Sequence, residues 1–250
     1  MTMCYCASIP VRADEVTTFK ANTLSSPPYI YKDGGQVTGI AVDIVNEAFH
    51  RIGGYKVKYT LLPWRRAVKR TKEGEVDLLL YASHSEQREA WGRYVDSVLI
   101  NTSFKLFKRA DATIQLNPDF NEVSHLSIAV RGGYIYQPGE FLRAVQNNQF
   151  RDVIYSDSTE QSIELLLRGR IDLFIGDELP VVFFLKQRQL QKVVDTVKLN
   201  GEALEVFSVP TYILLSKQNT DVELSGQLSD ALNGMRSDGT YQNIYDRYHE

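Results

Sequence analysis

The 250-residue sequence contains only two cysteines, Cys4 and Cys6, and both lie close to its start. The rest of the chain therefore has no disulfide framework and no cysteine-based metal site. Its four histidines show no zinc-ligand spacing, and we predict neither a metal nor a cofactor. The sequence also lacks a nucleophile motif and a phosphate-binding glycine loop, which favours a non-enzymatic protein.

The sequence also lacks a large excess of charge of one sign, and it lacks long apolar runs. The 28 basic and 31 acidic side chains are interspersed and give a net charge of −3, which argues against binding to nucleic acid or to a membrane surface. The longest apolar runs, such as residues 181–185, are too short to span a bilayer. A composition that is 43% hydrophobic and 24% charged is typical of a soluble globular chain with one domain or two small lobes.

The first residues resemble an export signal only in part. Residues 1–10 are too short and too mixed for a complete signal peptide, but Val11-Arg12-Ala13 has small residues where signal peptidase requires them. We predict that residues 1–13 are the remnant of a leader. A cloning remnant or a plain cytosolic start fits these residues equally well.

Strand-like and helix-like segments alternate from Asp14 onward, which predicts an α/β fold. Asp43 is predicted to be the N-cap of the first helix, which Gly53-Gly54 ends. Pro210 is predicted to interrupt a strand-like stretch over residues 204–215. The other strands are predicted at 17–24, 55–62, 76–81, 128–130, 152–155 and 171–175, and the other helices at 64–72, 140–147, 158–169, 224–235 and 241–248.

The sequence contains one internal echo. Glu73-Gly74-Glu75-Val76-Asp77-Leu78 and Arg168-Gly169-Arg170-Ile171-Asp172-Leu173 both place a glycine after a helix and then an apolar-Asp-Leu strand start. Two copies of this unit, roughly a hundred residues apart, indicate two similar lobes.

Chemistry-bearing side chains collect where the predicted strands end. Ligands of open α/β sheets bind beyond the carboxyl ends of the strands. Two arginine forks that can pair with a carboxylate, and an aspartate that can pair with an ammonium, suit a small zwitterion. The residues at these strand ends are Tyr81, Ala82, Ser83 and Arg88 after the third strand, Arg131 and Tyr134 after the fourth, and Asp177 after the sixth.

Several short motifs follow one another from about Thr17 to Tyr248. They are Pro28-Tyr29-Ile30-Tyr31, Gly39-Ile-Ala-Val-Asp43-Ile-Val, Pro63-Trp64-Arg65-Arg66-Ala67, Gly74-Glu-Val-Asp77-Leu, Ser85-Glu86-Gln87-Arg88 with Tyr94 and Asp96 after it, Val130-Arg131-Gly132-Gly133-Tyr134 and Gly169-Arg170-Ile171-Asp172-Leu-Phe-Ile-Gly176-Asp177. In this order they resemble the motifs of the family 3 extracellular solute-binding proteins, the periplasmic amino-acid receptors of ABC importers.

The resemblance implies a two-lobed fold of the type II periplasmic-binding-protein kind, with a mixed sheet flanked by helices in each lobe and a two-strand hinge. Lobe one would comprise residues 14–103 and 209–250, and lobe two residues 104–208. The two crossings would lie near Asn101–Lys105 and Phe207–Thr211.

The resemblance also implies roles for individual residues. Arg88, helped by Ser83, would hold the α-carboxylate of a ligand, and Asp177 would hold its ammonium. Arg131 and Tyr134 would complete the carboxylate end from lobe two, while Tyr29 and Trp64 would form aromatic walls. Ser83-His84-Ser85 and Thr23 depart from the family pattern, which leaves open whether the ligand is an ordinary α-amino acid.

The function expected from this resemblance is capture of a small polar amino acid or related carboxylate in the periplasm, by a monomer that delivers it to ABC importer membrane subunits. One alternative is the ligand-sensing domain of a membrane signalling protein. A less favoured alternative is a periplasmic dehydratase-like enzyme with Glu178 as general acid. A negative charge at the start of a helix explains Glu178 better.

Overall fold

The computed structural model describes residues 17–132, 134 and 136–248, and the predicted leader over residues 1–13 lies outside them. No helix within these residues is long and apolar enough to cross a membrane. The strands are β1 Thr18–Thr23, β2 Tyr31–Asp33, β3 Gln36–Thr38, β4 Lys56–Leu61, β5 Leu78–Ser83, β6 Gly92–Tyr94, β7 Ile100–Arg109, β8 Ser127–Arg131, β9 Asp152–Ser156, β10 Leu173–Asp177, β11 Val194–Thr196, β12 Lys198–Leu199, β13 Glu202–Ala203 and β14 Glu205–Ser216. The helices are α1 Ile40–Gly53, α2 Trp64–Lys72, α3 Glu86–Glu89, α4 Glu140–Gln146, α5 Thr159–Leu167, α6 Glu178–Gln187, α7 Val222–Ser237 and α8 Thr240–Asp246.

A continuous mixed sheet runs through both lobes in the order β4-β1-β5-β14-β7-β10-β8-β9. Strands β1, β4 and β5 are parallel to one another in the first lobe, as are β8, β9 and β10 in the second. Between these two groups lie the long antiparallel strands β7 and β14, which pair from residues 100–105 to residues 205–211. The two-lobed α/β fold with two connecting strands is thus confirmed.

Each lobe has its own apolar core. The largest core of the first lobe combines residues between Ala21 and Ile100 with residues between Ile213 and Ile244, so both ends of the chain build it. The largest core of the second lobe draws on residues between Phe104 and Val209. The boundary between the lobes therefore falls on β7 and β14, which are shared.

The first helix starts earlier than the sequence indicates, so the prediction of Asp43 as its N-cap is wrong. Helix α1 begins at Ile40 with Gly39 as N-cap, and Asp43 lies in its first turn. Backbone carbonyls serve as the cap, because Ile40 N–H donates to Pro28 O (3.1 Å) and Ala41 N–H to Tyr29 O (2.9 Å). Gly39 has φ +123°, and a Cβ there would overlap the Tyr29 carbonyl.

The start of α1 therefore fixes the backbone of Tyr29.

Pro210 does not interrupt its strand, contrary to the prediction. Strand β14 runs through it, and Pro210 lies opposite Asn101 of β7. Side-chain hydroxyls form the hydrogen bonds on either side: Thr102 Oγ1 donates to Val209 O (2.8 Å) and Thr211 Oγ1 to Ile100 O (2.9 Å). These bonds join β7 and β14 where a proline N–H is missing.

The internal echo corresponds to the same contact in both lobes. Asp77 Oδ2 accepts a hydrogen bond from Lys20 N in β1 (2.7 Å), and Asp172 Oδ2 accepts one from Ser127 N in β8 (2.8 Å). In each lobe the aspartate thus ties the start of one strand to its parallel neighbour. Ser127 Oγ donates to Asp172 as well (2.7 Å).

The pKa of Asp172 yields a stability prediction. Burial raises this pKa, but the hydrogen bonds from Ser127, together with the nearby Arg151 and His125, hold it below its ordinary value. Asp172→Asn should lower the free energy of unfolding at neutral pH by about 1 kcal/mol, a value discounted because the side chain is 38% exposed. Because the pKa of Asp172 is lower in the folded state, its carboxylate stabilises the fold at pH values above the unfolded-state pKa of about 3.9. This stabilisation is lost as the pH falls through the folded-state pKa.

Urea unfolding between about pH 7 and pH 3 measures this difference, and the gap between wild type and variant should close toward the acid end. The control is Asp152→Asn, since Asp152 is 63% exposed and contacts Arg151 at 3.3 Å. A gap of the same size throughout this pH range would contradict the account.

Candidate functional site

A β-bulge lies near the end of strand β5, where the strand reaches the cleft between the lobes. Its pairing with β14 shifts so that Leu80 and Tyr81 together face Ile213. Tyr81 has φ +63°, a left-handed conformation that is rare for a bulky aromatic residue. Bulges redirect side chains next to functional sites, and this one directs Tyr81 across the cleft.

Arg88 lies just beyond the end of β5, in the short helix α3. Its guanidinium Nη1 donates to Ser83 O (2.7 Å), and Tyr94 Oη donates to the same carbonyl (3.0 Å). The guanidinium carbon lies 5.4 Å from the centre of the Trp64 ring. Arg88 is only 8% exposed, so a fixed cation is held at the cleft.

Asp177 ends β10 on the opposite lobe and precedes α6. Its Oδ2 accepts a hydrogen bond from Tyr81 Oη (2.6 Å), and its Oδ1 lies 3.5 Å from the donor Tyr29 Oη. Burial raises the pKa of Asp177 to about 7, although bonds from Tyr81, the Leu179 backbone and Tyr29 lower it. Burial also raises the pKa of both tyrosines well above 10, so their hydroxyls stay protonated and donate.

Arg131 is the last residue of β8 on the second lobe, and Tyr134 follows that strand. The Arg131 guanidinium carbon lies 5.3 Å from the centre of the Tyr134 ring. The Nη1 atom of Arg131 is buried and has no hydrogen-bond partner among the described residues. A buried donor without an acceptor costs roughly 1–3 kcal/mol, which an acceptor on a ligand would relieve.

These side chains line two neighbouring cavities between the lobes. The first is lined by Arg88 and has about 470 Å³ of empty space, and the second is lined by Asp177 and Arg131 and has about 330 Å³; both are partly open to solvent. Phe104 and Tyr134 line both and form the wall between them. The first cavity is also lined by Trp64, Tyr81 and Ser83, and the second by Ser26, Thr159 and Ser162.

The structure brings most of the sequence-predicted site residues to this cleft. Tyr29 reaches it through its hydroxyl on Asp177. Ala82 differs, because its side chain packs in the core with Ala67 and Leu214 and lines neither cavity. The remaining seven residues line the cavities: Trp64, Tyr81, Ser83, Arg88, Arg131, Tyr134 and Asp177.

Four residues of the connecting strands also line the first cavity, and sequence reasoning did not select them. They are Thr102 and Phe104 of β7 and Val209 and Thr211 of β14. The signal was present, since these residues fall in or beside the two predicted crossings. A ligand in this cavity would contact the strands that join the lobes.

Comparison with known proteins agrees with this fold. The chain resembles an ancestral arginine-binding protein bound to arginine (TM-score 0.75, 21% identity, 93% of this chain and 98% of that chain). It also resembles a histidine kinase sensor domain similar to periplasmic binding proteins (TM-score 0.73, 18% identity, 94% and 96% covered). A third similar structure is a putative L-cystine ABC transporter protein from Listeria monocytogenes (TM-score 0.71, 21% identity, 93% and 96% covered).

A search of curated protein sequences finds no match. The family model for bacterial extracellular solute-binding proteins, family 3, matches residues 21–250, which is nearly the whole chain. The chain therefore belongs to the family 3 bacterial extracellular solute-binding proteins.

Proposed function

We propose that the protein captures a small solute bearing a carboxylate, an amino acid or a related acid, between its lobes in the periplasm and delivers it to an ABC importer. The observation that carries this proposal is Arg88, a buried cation that lines a cavity between the lobes. Within the described part of the chain no Asp or Glu lines that cavity. A ligand carboxylate would neutralise the guanidinium.

The position of Arg88 suits a carboxylate clamp. One guanidinium nitrogen is fixed on Ser83 O, and a guanidinium has five N–H donors in a planar fork. The fork can therefore still bind a carboxylate with two parallel hydrogen bonds. The Trp64, Phe104 and Tyr134 rings form the apolar walls for the rest of the ligand.

Closure of the lobes would couple capture to delivery. The bonds from Tyr81 and Tyr29 to Asp177 join the two lobes across the cleft and belong to a closed form. Strands β7 and β14 are the connections about which the lobes would move. A ligand that contacts both lobes binds the closed form better and shifts the population toward it.

A sensory role is a second candidate, because the similar structures include a kinase sensor domain. Both roles need the same capture step, and measured solute uptake in cells with and without the protein separates them. Catalysis is less supported. Glu178, the residue weighed as a general acid, pairs with Lys105 Nζ at 2.6 Å and begins α6.

The first test replaces the clamp. Arg88→Ala should weaken binding of the best carboxylate ligand by at least ~2 kcal/mol, or roughly 30-fold, because the ligand charge loses its partner. Arg88→Lys keeps the charge without the fork and should bind with intermediate affinity. Titration calorimetry gives the constants, and circular dichroism checks that each variant is folded.

The matched control is Arg65→Ala, since Arg65 is an exposed arginine next to Trp64. It should bind like the wild type. Unchanged affinity in folded Arg88→Ala and Arg88→Lys would refute the clamp.

The second test uses intrinsic fluorescence. The chain has two tryptophans: Trp64 lines the Arg88 cavity, whereas Trp91 does not line it and packs against a small apolar cluster that includes Ala82 and Leu214. Ligand binding should change the emission of Trp64 because it displaces water beside the ring and neutralises the adjacent cation. Trp91→Phe should keep the ligand-induced change, and Trp64→Phe should lose it. The opposite assignment would move the ligand away from this cavity.

A further inference from the structure

The carboxylate of Asp177, which the resemblance assigns to a ligand ammonium, already has partners within the protein. Tyr81 Oη donates to Oδ2 at 2.6 Å, and Tyr29 Oη lies 3.5 Å from Oδ1. Both donors come from the opposite lobe. In this closed form an ammonium would have to compete with both tyrosine hydroxyls for the two carboxylate oxygens.

Tyr81 is held firmly in this position. Its left-handed backbone sits in the bulge of β5, between Leu79 and Ala82, which both pair with β14. Its ring lies 5.3 Å from the ring of Tyr29, centre to centre, and the residue is only 9% exposed. While the lobes stay closed, the bulge and the neighbouring Tyr29 ring hold the Tyr81 hydroxyl at Asp177.

Asp177 is also a weak counter-ion. Burial raises its pKa to about 7, so its charged form is disfavoured before any ligand arrives. An ammonium at this position would have to offset that cost of ionising the carboxyl group.

The position expected for a ligand ammonium also argues against an α-amino acid. In an α-amino acid the nitrogen is two bonds from the carboxyl carbon, so a carboxylate on Arg88 leaves the ammonium inside the Arg88 cavity. That cavity has one cation and, within the described residues, no acidic group. A monoanion would neutralise it, whereas a zwitterion would bring an unpaired ammonium next to the guanidinium.

We propose that the ligand is a small carboxylate without an α-amino group, carried on an apolar or aromatic body that fits between Trp64, Phe104 and Tyr134. The inference rests on the proposed function, since it takes Arg88 as the carboxylate clamp. The Tyr81–Asp177 hydrogen bond remains in place when such a ligand binds. Tyr81 and Asp177 then close the cleft instead of recognising the solute.

The experiment compares matched compounds on the wild-type protein by thermal shift and titration calorimetry. Each protein amino acid with a primary α-amino group is tested beside the acid obtained by replacing that group with hydrogen, and beside the amine obtained by removing its carboxyl group. The best deaminated acid should bind at least tenfold more tightly than its parent amino acid. The amines should not bind.

Three other outcomes are distinguishable. If amino acids bind more tightly than their deaminated partners and Arg88→Ala abolishes that binding, the inference is overturned and the carboxylate clamp stands. If the amines bind as well as the acids, the clamp itself fails and the inference fails with it. If neither acids nor amino acids bind at millimolar concentration, both the proposed function and the inference are overturned.

Discussion

The constraint on which this account depends is a buried guanidinium, that of Arg88, for which the described residues provide no acidic side chain in the cavity. Arg88 is 8% exposed, and its Nη1 is bonded to a neutral carbonyl, that of Ser83. A cation removed from water without a counter-ion costs several kcal/mol. The aromatic ring of Trp64 offsets part of this cost. An anion that enters the cavity would offset the rest of this cost. We therefore expect the charge of the ligand to be the first determinant of binding.

The rest of the fold brings the two halves of the cleft into register around that cation. The N-terminus of α1 fixes the Tyr29 backbone through hydrogen bonds to two carbonyls, and the bulge in β5 sets the direction of Tyr81. Both hydroxyls therefore arrive at Asp177 from the opposite lobe. Strands β7 and β14 carry the chain between the lobes and supply part of the cavity wall. The strands that join the lobes are thus also strands that line the cavity.

Patterns local in sequence predicted much of this architecture, and contacts distant in sequence account for the errors. Helix α2 begins at Trp64 and ends at Lys72, as predicted from its spacing, and the strand-end rule found Arg88, Arg131 and Asp177. The N-cap at Asp43 was wrong because backbone carbonyls of a preceding segment cap α1, which no side-chain pattern reveals. The contact between Tyr81 and Asp177 was also out of reach, since it needs a bulge, a left-handed backbone and closed lobes at once.

A crystal structure of the protein with the acid that stabilises it most tests the central claim most directly. The account predicts the ligand carboxylate within hydrogen-bond distance of the Arg88 guanidinium, its apolar body against Trp64, and Tyr81 still bonded to Asp177. A ligand bound with its charged group on Asp177, and with Arg88 bonded only to the Ser83 carbonyl, would contradict it.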